Sequence, residues 1–426
     1  LSPNLQRLPM NNGRTRVVVN GLGAITPLGL TVDEFWDGLI NGRNGINRIT
    51  QFDATGFDCQ VAGEVKNFDP TQYIDPKEAR RMARCSQFAV AAATDAVKDS
   101  GIDLPLKDEE RVGVLIGTAI GGFDEADKAV NEFRRKGTVR ANPFAVTACI
   151  PNMPAHHVSR TFLARGPLMC LVTACATGTQ AIGEATEVIR RGSADVMVAG
   201  GTEALIGDFA IAGFSGMRAL PTHFNDAPEK ASRPFDRDRE GFVFSEGCGV
   251  VVLERLEHAQ ARGARIYAEV IGQGASSDAF HVAQPDPSGE GAIRAMKWAL
   301  QDAQVEPSEI GYINAHGSST PINDPLETMA IKKVFGDHAR DLCISSTKSM
   351  IGHPMGASGT LEAIACIKTL TTGIAHPTRN LDNPDLECDL DYIPGAARKV
   401  DVRVVMSNSF GLGGQNACLV LKKFEE

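Results

Sequence analysis

Short apolar runs rich in β-branched residues alternate with segments of helical periodicity along the whole chain. The first pair is a β-branched run at residues 16–27, closed by turn residues, and residues 31–40, which carry apolar residues at helical spacing behind a threonine cap. Apolar strands of this kind are buried on both faces, and the intervening helices connect strands that run parallel. The pattern therefore predicts an α/β fold in which helices cover a mixed, mostly parallel sheet.

The same alternation continues to the end of the chain. Further helices are predicted at residues 86–98, 179–191, 291–304 and 359–371, and further strands at 112–117, 194–201, 265–272, 310–315, 402–406 and 417–421. A chain of 426 residues can hold two domains or two closely packed halves. The order of elements is similar in both parts, although no strict sequence repeat relates them. We expect two similar halves, at residues 14–262 and 263–426.

Composition narrows the function classes. No stretch approaches the roughly 20 uninterrupted apolar residues of a membrane span, so we expect no membrane insertion. The net charge of −9 argues against a general nucleic-acid-binding protein. Ten cysteines without a C-x-x-C pair disfavour a zinc site or a disulfide framework and indicate a reducing, cytosol-like compartment. Residues 1–9 resemble no targeting signal, and we expect Met10 to be the natural start.

Cys175 is the strongest candidate for a reactive residue. The apolar run beginning at Leu171 ends at this thiol, and small, turn-compatible residues then lead into a predicted helix. We interpret the segment as a buried strand that delivers the cysteine to a helix N-terminus, where the helix dipole favours the thiolate. An inert core cysteine is the alternative that this segment alone leaves open.

Two histidines lie where predicted strands pass into loops. His316 lies in Asn314-Ala-His-Gly-Ser-Ser-Thr-Pro321, and His353 in Lys348-Ser-Met-Ile-Gly-His353. Glycines also gather where strands end, as at residues 117–122 and 411–414, without the spacing of a nucleotide-binding loop. We interpret these loops as close backbone approaches around one site, with N–H groups available as an oxyanion hole.

Taken together, these motifs resemble the β-ketoacyl-[acyl carrier protein] synthases of fatty-acid synthesis. The resemblance runs from about residue 16 to residue 422. The matching segments, in order, are Thr173-Ala-Cys-Ala-Thr-Gly178, the arginine-rich residues 231–247, the two histidine loops, and Ser407-Asn-Ser-Phe-Gly-Leu-Gly-Gly414. The resemblance implies a thiolase-like fold of two similar α/β halves, layered α-β-α-β-α, usually as a homodimer. The type that matches best is the elongating, type II condensing enzyme.

The resemblance also implies a reaction. Cys175 would attack an acyl thioester and hold the acyl group. A malonyl thioester would then lose carbon dioxide, and His316 and His353 would stabilise the enolate charge. The backbone N–H groups of Cys175 and Phe410 would hold the oxyanion that forms at the acyl-cysteine. The second partner here is His353, whereas related subclasses have asparagine or cysteine at that place. A histidine there favours an elongating, decarboxylating enzyme.

Supporting roles follow from the same resemblance. Lys348 would pair with Glu362 and orient a histidine, although an ordinary structural ion pair explains the two residues equally well. Glu327 is expected to be structural or to join this network. Phe410 resembles the gating aromatic of the family, and Ile120 resembles a residue that lines the acyl tunnel; simple core packing is the alternative for both.

The expected partner is acyl carrier protein, in its acyl and malonyl forms. Because that protein is acidic, we predict docking at a basic helix that presents Lys77, Arg80, Arg81 and Arg84. The chemistry calls for no organic cofactor and no catalytic metal, and the C-terminal loops are where a structural monovalent cation could bind. We expect a bacterial cytoplasmic enzyme, or an organellar one of a eukaryotic pathway.

The chain departs from the family pattern at three positions. Ser318 replaces a threonine and keeps the hydroxyl, whereas Leu412 and Gln415 replace phenylalanine and threonine beside Phe410 and could alter the gate. Three other functions remain open from the sequence: a polyketide ketosynthase, a silent chain-length factor and a cysteine hydrolase.

Overall fold

The computed structural model describes residues 13–136 and 142–425. The prediction that Met10 is the natural start lies outside the described residues. The helices are α1 Val32–Ile40, α2 Pro76–Ala79, α3 Arg84–Ser100, α4 Phe123–Lys136, α5 Ala145–Cys149, α6 Met153–Phe162, α7 Thr177–Arg190, α8 Asp208–Gly216, α9 Leu256–Ala261, α10 Glu290–Ala303, α11 Asn323–Phe335, α12 Lys348–Ile351 and α13 Ser358–Thr372. None of the helices in these two ranges is long and apolar enough to cross a membrane.

The strands are β1 Val17–Ile25, β2 Asn47–Arg48, β3 Val61–Ala62, β4 Val112–Gly117, β5 Leu168–Met169, β6 Val196–Glu203, β7 Gly247–Arg255, β8 Ala268–Ser277, β9 Ile310–Asn314, β10 Cys343–Ser345, β11 Ile374–Ala375, β12 Arg398–Lys399, β13 Val404–Gly411 and β14 Gln415–Lys423. Each strand and helix that periodicity predicts is confirmed, with ends that shift by a few residues. Thr31 caps α1 as predicted, since its hydroxyl accepts a hydrogen bond from the backbone N–H of Glu34.

Ten strands form one sheet in the order β10-β9-β13-β14-β8-β1-β7-β6-β4-β5. The halves meet where β1 pairs with β8 in antiparallel orientation. In the first half, β1, β4, β5 and β6 point in one direction and β7 runs against them. In the second half, β8, β9, β10 and β13 have the same arrangement and β14 runs against them. The mixed, mostly parallel sheet and the two similar halves are thus confirmed; the boundary after residue 262 stays a prediction.

The helices form three layers around the two sheet halves. Helices α3 and α6 cover the outer face of the first half, and α10 and α11 cover the outer face of the second. Helices α7 and α13 pack against each other in the centre and contact strands of both halves. This is the α-β-α-β-α layering that the resemblance implies. The central pair matters for function, because the loops that precede α7 and α13 meet at one end of the sheet.

The strand expected before Cys175 is not a buried one. Strand β5 has two residues and lies at the edge of the sheet. Leu168, in the strand, is 48% exposed, and Val172, which follows the strand, is 49% exposed. The expectation was wrong because an apolar run is equally compatible with the sheet interior and with an edge that the chain itself leaves uncovered.

Candidate active site

Cys175 lies in a tight turn directly before α7. A single 3-10 turn spans Ala174–Ala176, and α7 begins at the next residue. Ala174 has a φ of +49°, a region that residues with a side chain adopt rarely. The hydroxyl of Thr177 holds the turn, since it accepts from the N–H of Thr173 at 2.9 Å and donates to the carbonyl of Ala174 at 2.7 Å. The thiol is therefore fixed at the start of a central helix and is 5% exposed.

His353 lies in the loop between α12 and α13 and faces this thiol. Its Nε2 is 2.9 Å from Cys175 Sγ, and its Nδ1 is 2.9 Å from the hydroxyl of Ser358. The His353 backbone N–H donates to the carbonyl of Val243 at 2.7 Å, and the ring packs edge-on against Phe242. Both ring nitrogens therefore have a partner, and the imidazole is held in one orientation.

His316 follows β9 and lies beside His353. The two ring centroids are 5.5 Å apart and the planes are nearly perpendicular, at 86°. Glu327 fixes the His316 loop, because its carboxylate accepts from the backbone N–H of His316 at 2.9 Å and from that of Gly317 at 2.8 Å. The Nδ1 atom of His316 is buried without a hydrogen-bond partner among the described residues. Of the two predicted roles for Glu327, the geometry supports membership of the site's network.

Lys348 connects the two histidine loops. Its ammonium donates to the carbonyl of His316 at 2.7 Å and forms a buried ion pair with Glu362 on α13. The other oxygen of Glu362 accepts from the hydroxyl of Ser409 at 3.3 Å. The predicted Lys348–Glu362 pair is thus present, and it contacts the backbone of one histidine loop instead of either imidazole.

Burial controls the proton affinities in the site. Burial lowers the pKa of both His316 and His353 well below the usual value, and the nearby charge of Lys348 acts in the same direction. Both imidazoles are therefore neutral at physiological pH. Burial likewise raises the pKa of the Glu327 carboxyl to about 7.

The thiol has the opposite state from the one predicted. Burial raises the pKa of Cys175 to about 11, although the backbone N–H of Leu412 and the charge of Lys348 act in the opposite direction. Desolvation of the thiolate outweighs the helix-terminus effect that the sequence suggested. The resting pair is a thiol and a neutral imidazole, with a proton acceptor already within hydrogen-bonding distance of the sulfur.

One cavity of about 410 Å³ opens onto these groups. Cys175, His316, His353 and Phe410 all line it. Phe410 is nearly at the end of β13, and its ring lies 5.9 Å from that of His316. The next residues form the glycine-rich turn, and a side chain at Gly411 would lie 3.1 Å from the backbone nitrogen of Cys175. The loop and the nucleophile are therefore in backbone contact, as the glycine pattern predicted.

Ile120 is partly buried and packs against the apolar cluster that contains Cys175, and it is not among the residues that line the cavity. This cluster also contains Met355 and Leu412 and lies next to the cavity. Sequence reasoning missed two participants, the Ser358 hydroxyl at His353 and the backbone N–H of Leu412 at the sulfur. Ser358 lies five residues after His353 in the sequence, but only the folded loop shows that its hydroxyl reaches the imidazole.

The basic segment is not one helix. Helix α2 ends at Ala79 and α3 begins at Arg84, so Arg80 and Arg81 lie in the turn between them. Lys77, Arg80 and Arg81 are exposed. Arg84 instead reaches inward and forms an ion pair with the buried Glu246 at 2.8 Å. The prediction of a four-residue basic helix face was wrong, and a three-residue exposed group remains.

Comparisons with known proteins decide the family. The model for the β-ketoacyl synthase N-terminal domain matches residues 14–259, and the model for the β-ketoacyl synthase C-terminal domain matches residues 267–382. This chain belongs to the β-ketoacyl synthase family. The predicted family, fold class and acyl-transferring condensing activity are confirmed.

Named relatives of the synthase are condensing enzymes. The 3-oxoacyl-[acyl-carrier-protein] synthase 2 of Synechocystis sp. is 49% identical over 97% of the synthase and all of the relative. That of Staphylococcus aureus is 49% identical over 96% of the synthase and 99% of the relative. Among solved structures, the ishigamide ketosynthase/chain length factor superposes with a TM-score of 0.91 at 37% identity, over 97% of the synthase and all of that chain. A type II polyketide ketosynthase, solved with its acyl carrier protein, superposes with a TM-score of 0.89 at 34% identity, with the same coverage.

Proposed function

We propose that the synthase lengthens acyl chains on acyl carrier protein by two carbons, by decarboxylative condensation at Cys175. The observation that carries this proposal is the arrangement of one thiol and two neutral imidazoles around a single cavity, with Cys175 Sγ 2.9 Å from His353 Nε2. A hydrolase would need one base for its nucleophile, whereas a second histidine beside the first suits an enolate intermediate. A silent chain-length factor would have no use for the complete set.

In the first half-reaction, His353 Nε2 accepts the thiol proton as the Cys175 sulfur attacks the carbonyl carbon of the acyl thioester. The carbon–sulfur bond to the carrier breaks, and the departing carrier thiolate takes the proton. The backbone N–H groups of Cys175 and Phe410 hold the oxyanion of this step. The products are acyl-Cys175 and the free carrier thiol.

In the second half-reaction, malonyl carrier protein loses carbon dioxide, and the electrons of the broken bond form an enolate. N–H groups of His316 and His353 stabilise its oxygen. The enolate carbon then attacks acyl-Cys175, and the sulfur leaves and regains a proton from water. The Ser358 hydroxyl can donate to Nδ1 or accept from it, so it supports His353 Nε2 both as an acceptor in the first step and as a donor in the second.

Lys348 and Glu362 hold the two histidine loops together in this scheme, and Glu327 holds the His316 backbone. Phe410 acts as the gate between cavity and acyl site, and Ile120 forms part of the acyl tunnel wall. Its packing against the apolar cluster that contains Cys175 is compatible with this role and equally with simple core packing.

Acyl carrier protein is the proposed partner. The solved polyketide ketosynthase at 34% identity binds such a carrier. The exposed Lys77, Arg80 and Arg81 supply a basic surface for an acidic protein. We assign the enzyme to the cytoplasm of a bacterium, as its bacterial relatives suggest.

We also propose a homodimer that forms at the β5 edge. The thiol of Cys170 donates to the carbonyl of Pro151 at 3.1 Å, so the segment that includes α5 lies beside β5. Together they expose a group of apolar side chains: Phe144, Val146, Ile150, Leu168 and Val172. An apolar patch at an unpaired sheet edge is the kind of surface that a second copy covers.

The reaction as written uses neither an organic cofactor nor a catalytic metal. A structural monovalent cation near the C-terminal loops would need oxygen donors that the protein leaves unsatisfied. Asn314 Oδ1 and Ser407 Oγ are buried without a hydrogen-bond partner among the described residues, and these two residues are register partners in β9 and β13. We propose these two strand residues, which precede the loops at His316 and Phe410, as ligands of such an ion.

A polyketide ketosynthase is the second candidate, because one of the solved relatives is a type II polyketide ketosynthase and another is a ketosynthase/chain length factor. Their identities, 37% and 34%, are lower than the 49% shared with the 3-oxoacyl-[acyl-carrier-protein] synthases. The higher identity over nearly the full length favours the fatty-acid enzyme.

Mass spectrometry of products tests the proposal. The synthase is given malonyl-[acyl carrier protein] and a panel of acyl-[acyl carrier protein] lengths, beside Cys175→Ala and the matched control Cys170→Ala. We expect β-ketoacyl products two carbons longer than each primer, absent in Cys175→Ala and retained in Cys170→Ala. Hydrolysis or decarboxylation without elongation would contradict the proposal.

A further inference from the structure

Glu203 is a buried carboxylate that the condensation scheme does not use. It is the last residue of β6 and is fully buried. Oε1 accepts from the hydroxyl of Thr118 at 2.9 Å, and Oε2 accepts from the backbone N–H groups of Ala119 at 2.8 Å and Gly356 at 3.2 Å. The backbone N–H of Ile120 also faces it. A carboxylate surrounded by donors alone serves as a connector between the segments that supply them.

The donors come from two loops in different halves of the molecule. Thr118 and Ala119 follow β4 in the first half, and this loop carries Ile120. Gly356 belongs to the turn Met355–Ala357 in the second half, between His353 and α13. Met355 packs in the same apolar cluster as Cys175 and Ile120, and Ser358, at the start of α13, holds His353. Glu203 therefore connects the wall of the acyl site to the support of a catalytic imidazole.

Glycines allow the two loops to lie backbone against backbone at this point. A side chain at Gly356 would place its Cβ 2.6 Å from the nitrogen of Ala119, and one at Gly201 would place it 2.1 Å from the carbonyl oxygen of Gly356. Because no side chains separate the loops, their spacing depends on the hydrogen bonds that join them. Glu203 is the residue that supplies these bonds to both loops.

We infer that Glu203 is a positioning residue that fixes the Ile120 loop against the His353 turn and thereby sets which acyl chain lengths are transferred to Cys175. The inference rests on the proposed function, since it presumes acyl transfer to this sulfur. The Thr118 hydroxyl takes part, because it donates to Glu203 and accepts from the N–H of Gly121 at 3.0 Å. Protonation of Glu203 would place an O–H donor among the N–H and O–H donors of the two loops. The link between the loops therefore depends on the negative charge of Glu203. Burial raises the pKa of this carboxyl to about 7.

The test measures acylation of Cys175 alone, by intact mass, over short to long acyl-[acyl carrier protein] substrates. Glu203→Gln keeps the size of the side chain and replaces one acceptor by a donor. A misplacement of about 1 Å in a positioned site can cost about 100-fold in rate. We therefore expect Glu203→Gln to lower the ratio of kcat/KM between the preferred and the least preferred acyl length at least about 10-fold. Glu254→Gln is the matched control, since Glu254 is also fully buried but contacts neither loop.

Hydrogen exchange provides a readout that does not depend on activity. Peptides covering residues 117–122 and 353–358 should both exchange faster in Glu203→Gln than in the wild type. In Glu254→Gln, neither peptide should exchange faster. If Glu203→Gln does not fold, Thr118→Val, which loses the hydroxyl, should give the same two effects, and Thr118→Ser should retain wild-type behaviour. The inference would be overturned if the ratio of kcat/KM between acyl lengths were unchanged in Glu203→Gln and Thr118→Val. It would also be overturned if Glu254→Gln changed that ratio equally. Failure of the wild type to acylate Cys175 at all would instead refute the proposed function.

Discussion

At the scale of single residues, the reactive sulfur is a protonated thiol that lies 2.9 Å from a nitrogen of a neutral imidazole. The sequence indicated one cysteine and two histidines that the fold brings together around one cavity, because each occurs in a motif with a strand, a turn and small residues around it. It could not indicate the protonation state. That state depends on how completely the fold removes water from Cys175, and the residues that do so are distant in the chain.

The thiol should titrate at an unusually high pH. An ordinary cysteine is half ionised near pH 8.5, whereas burial raises the pKa of Cys175 to about 11. The thiolate is the reactive form, so the rate of Cys175 alkylation by iodoacetamide should continue to rise above pH 9. Peptide mass spectrometry measures the modification at this cysteine, and Cys175→Ala gives the background. A rate that levels off below pH 8 would show that the helix terminus prevails over burial.

The Lys348–Glu362 pair can be tested for a role beyond stability. Lys348→Met leaves Glu362 buried without its partner, and we expect a loss of about 3–5 kcal/mol in the free energy of unfolding. Lys348→Met combined with Glu362→Gln removes both charges and should recover most of that stability. We expect condensation to remain impaired in the double variant, since the His316 carbonyl loses its donor. Chemical denaturation and product formation are measured together, and recovery of both would show a purely structural pair.

At the scale of elements, periodicity predicted strands and helices well where each is buried against its own chain. Periodicity predicted the elements less well where the chain is exposed. The charge spacing of the basic segment predicts one helix, yet Pro76 and Arg84 begin separate helices and the turn between them carries Arg80 and Arg81. The spacing of charges cannot show that Arg84 turns inward, because its partner Glu246 is far away in the sequence.

The exposed turn between α2 and α3 should contribute to binding of the acidic carrier. Arg80→Glu with Arg81→Glu reverses two charges at the proposed docking surface. We expect KM for carrier-bound substrate to rise about 10-fold or more at low salt, with kcat nearly unchanged, and the effect to shrink as salt screens the charges. Lys422→Glu with Lys423→Glu makes the same change in net charge on exposed residues of β14 and serves as control. An equal rise in KM for the two double variants would indicate a general charge effect.

At the scale of the whole molecule, the duplicated sheet brings three distant segments to one cavity. The loops before α7 and α13 meet because these helices pack together between the sheet halves, and His316 joins them from the end of β9. The order of elements let the sequence predict two similar halves. The meeting of their loops required the family resemblance, since no local pattern links residues 175, 316 and 353.

The exposed β5 edge makes a prediction about assembly. Leu168 and Val172 would be buried if a second copy covered this edge, which also explains why an apolar run that looks buried in the sequence is open in a single chain. Val172→Glu places a charge in that interface, and burying it without a partner costs several kcal/mol. We expect the wild type to have twice the chain mass in light scattering after size-exclusion chromatography, and Val172→Glu to shift toward a single chain. Leu386→Glu is the control, because Leu386 is 90% exposed and lies outside the group of apolar side chains at the edge. A wild type that runs as a single chain, or a Val172→Glu variant that keeps the double mass, would contradict the proposed dimer.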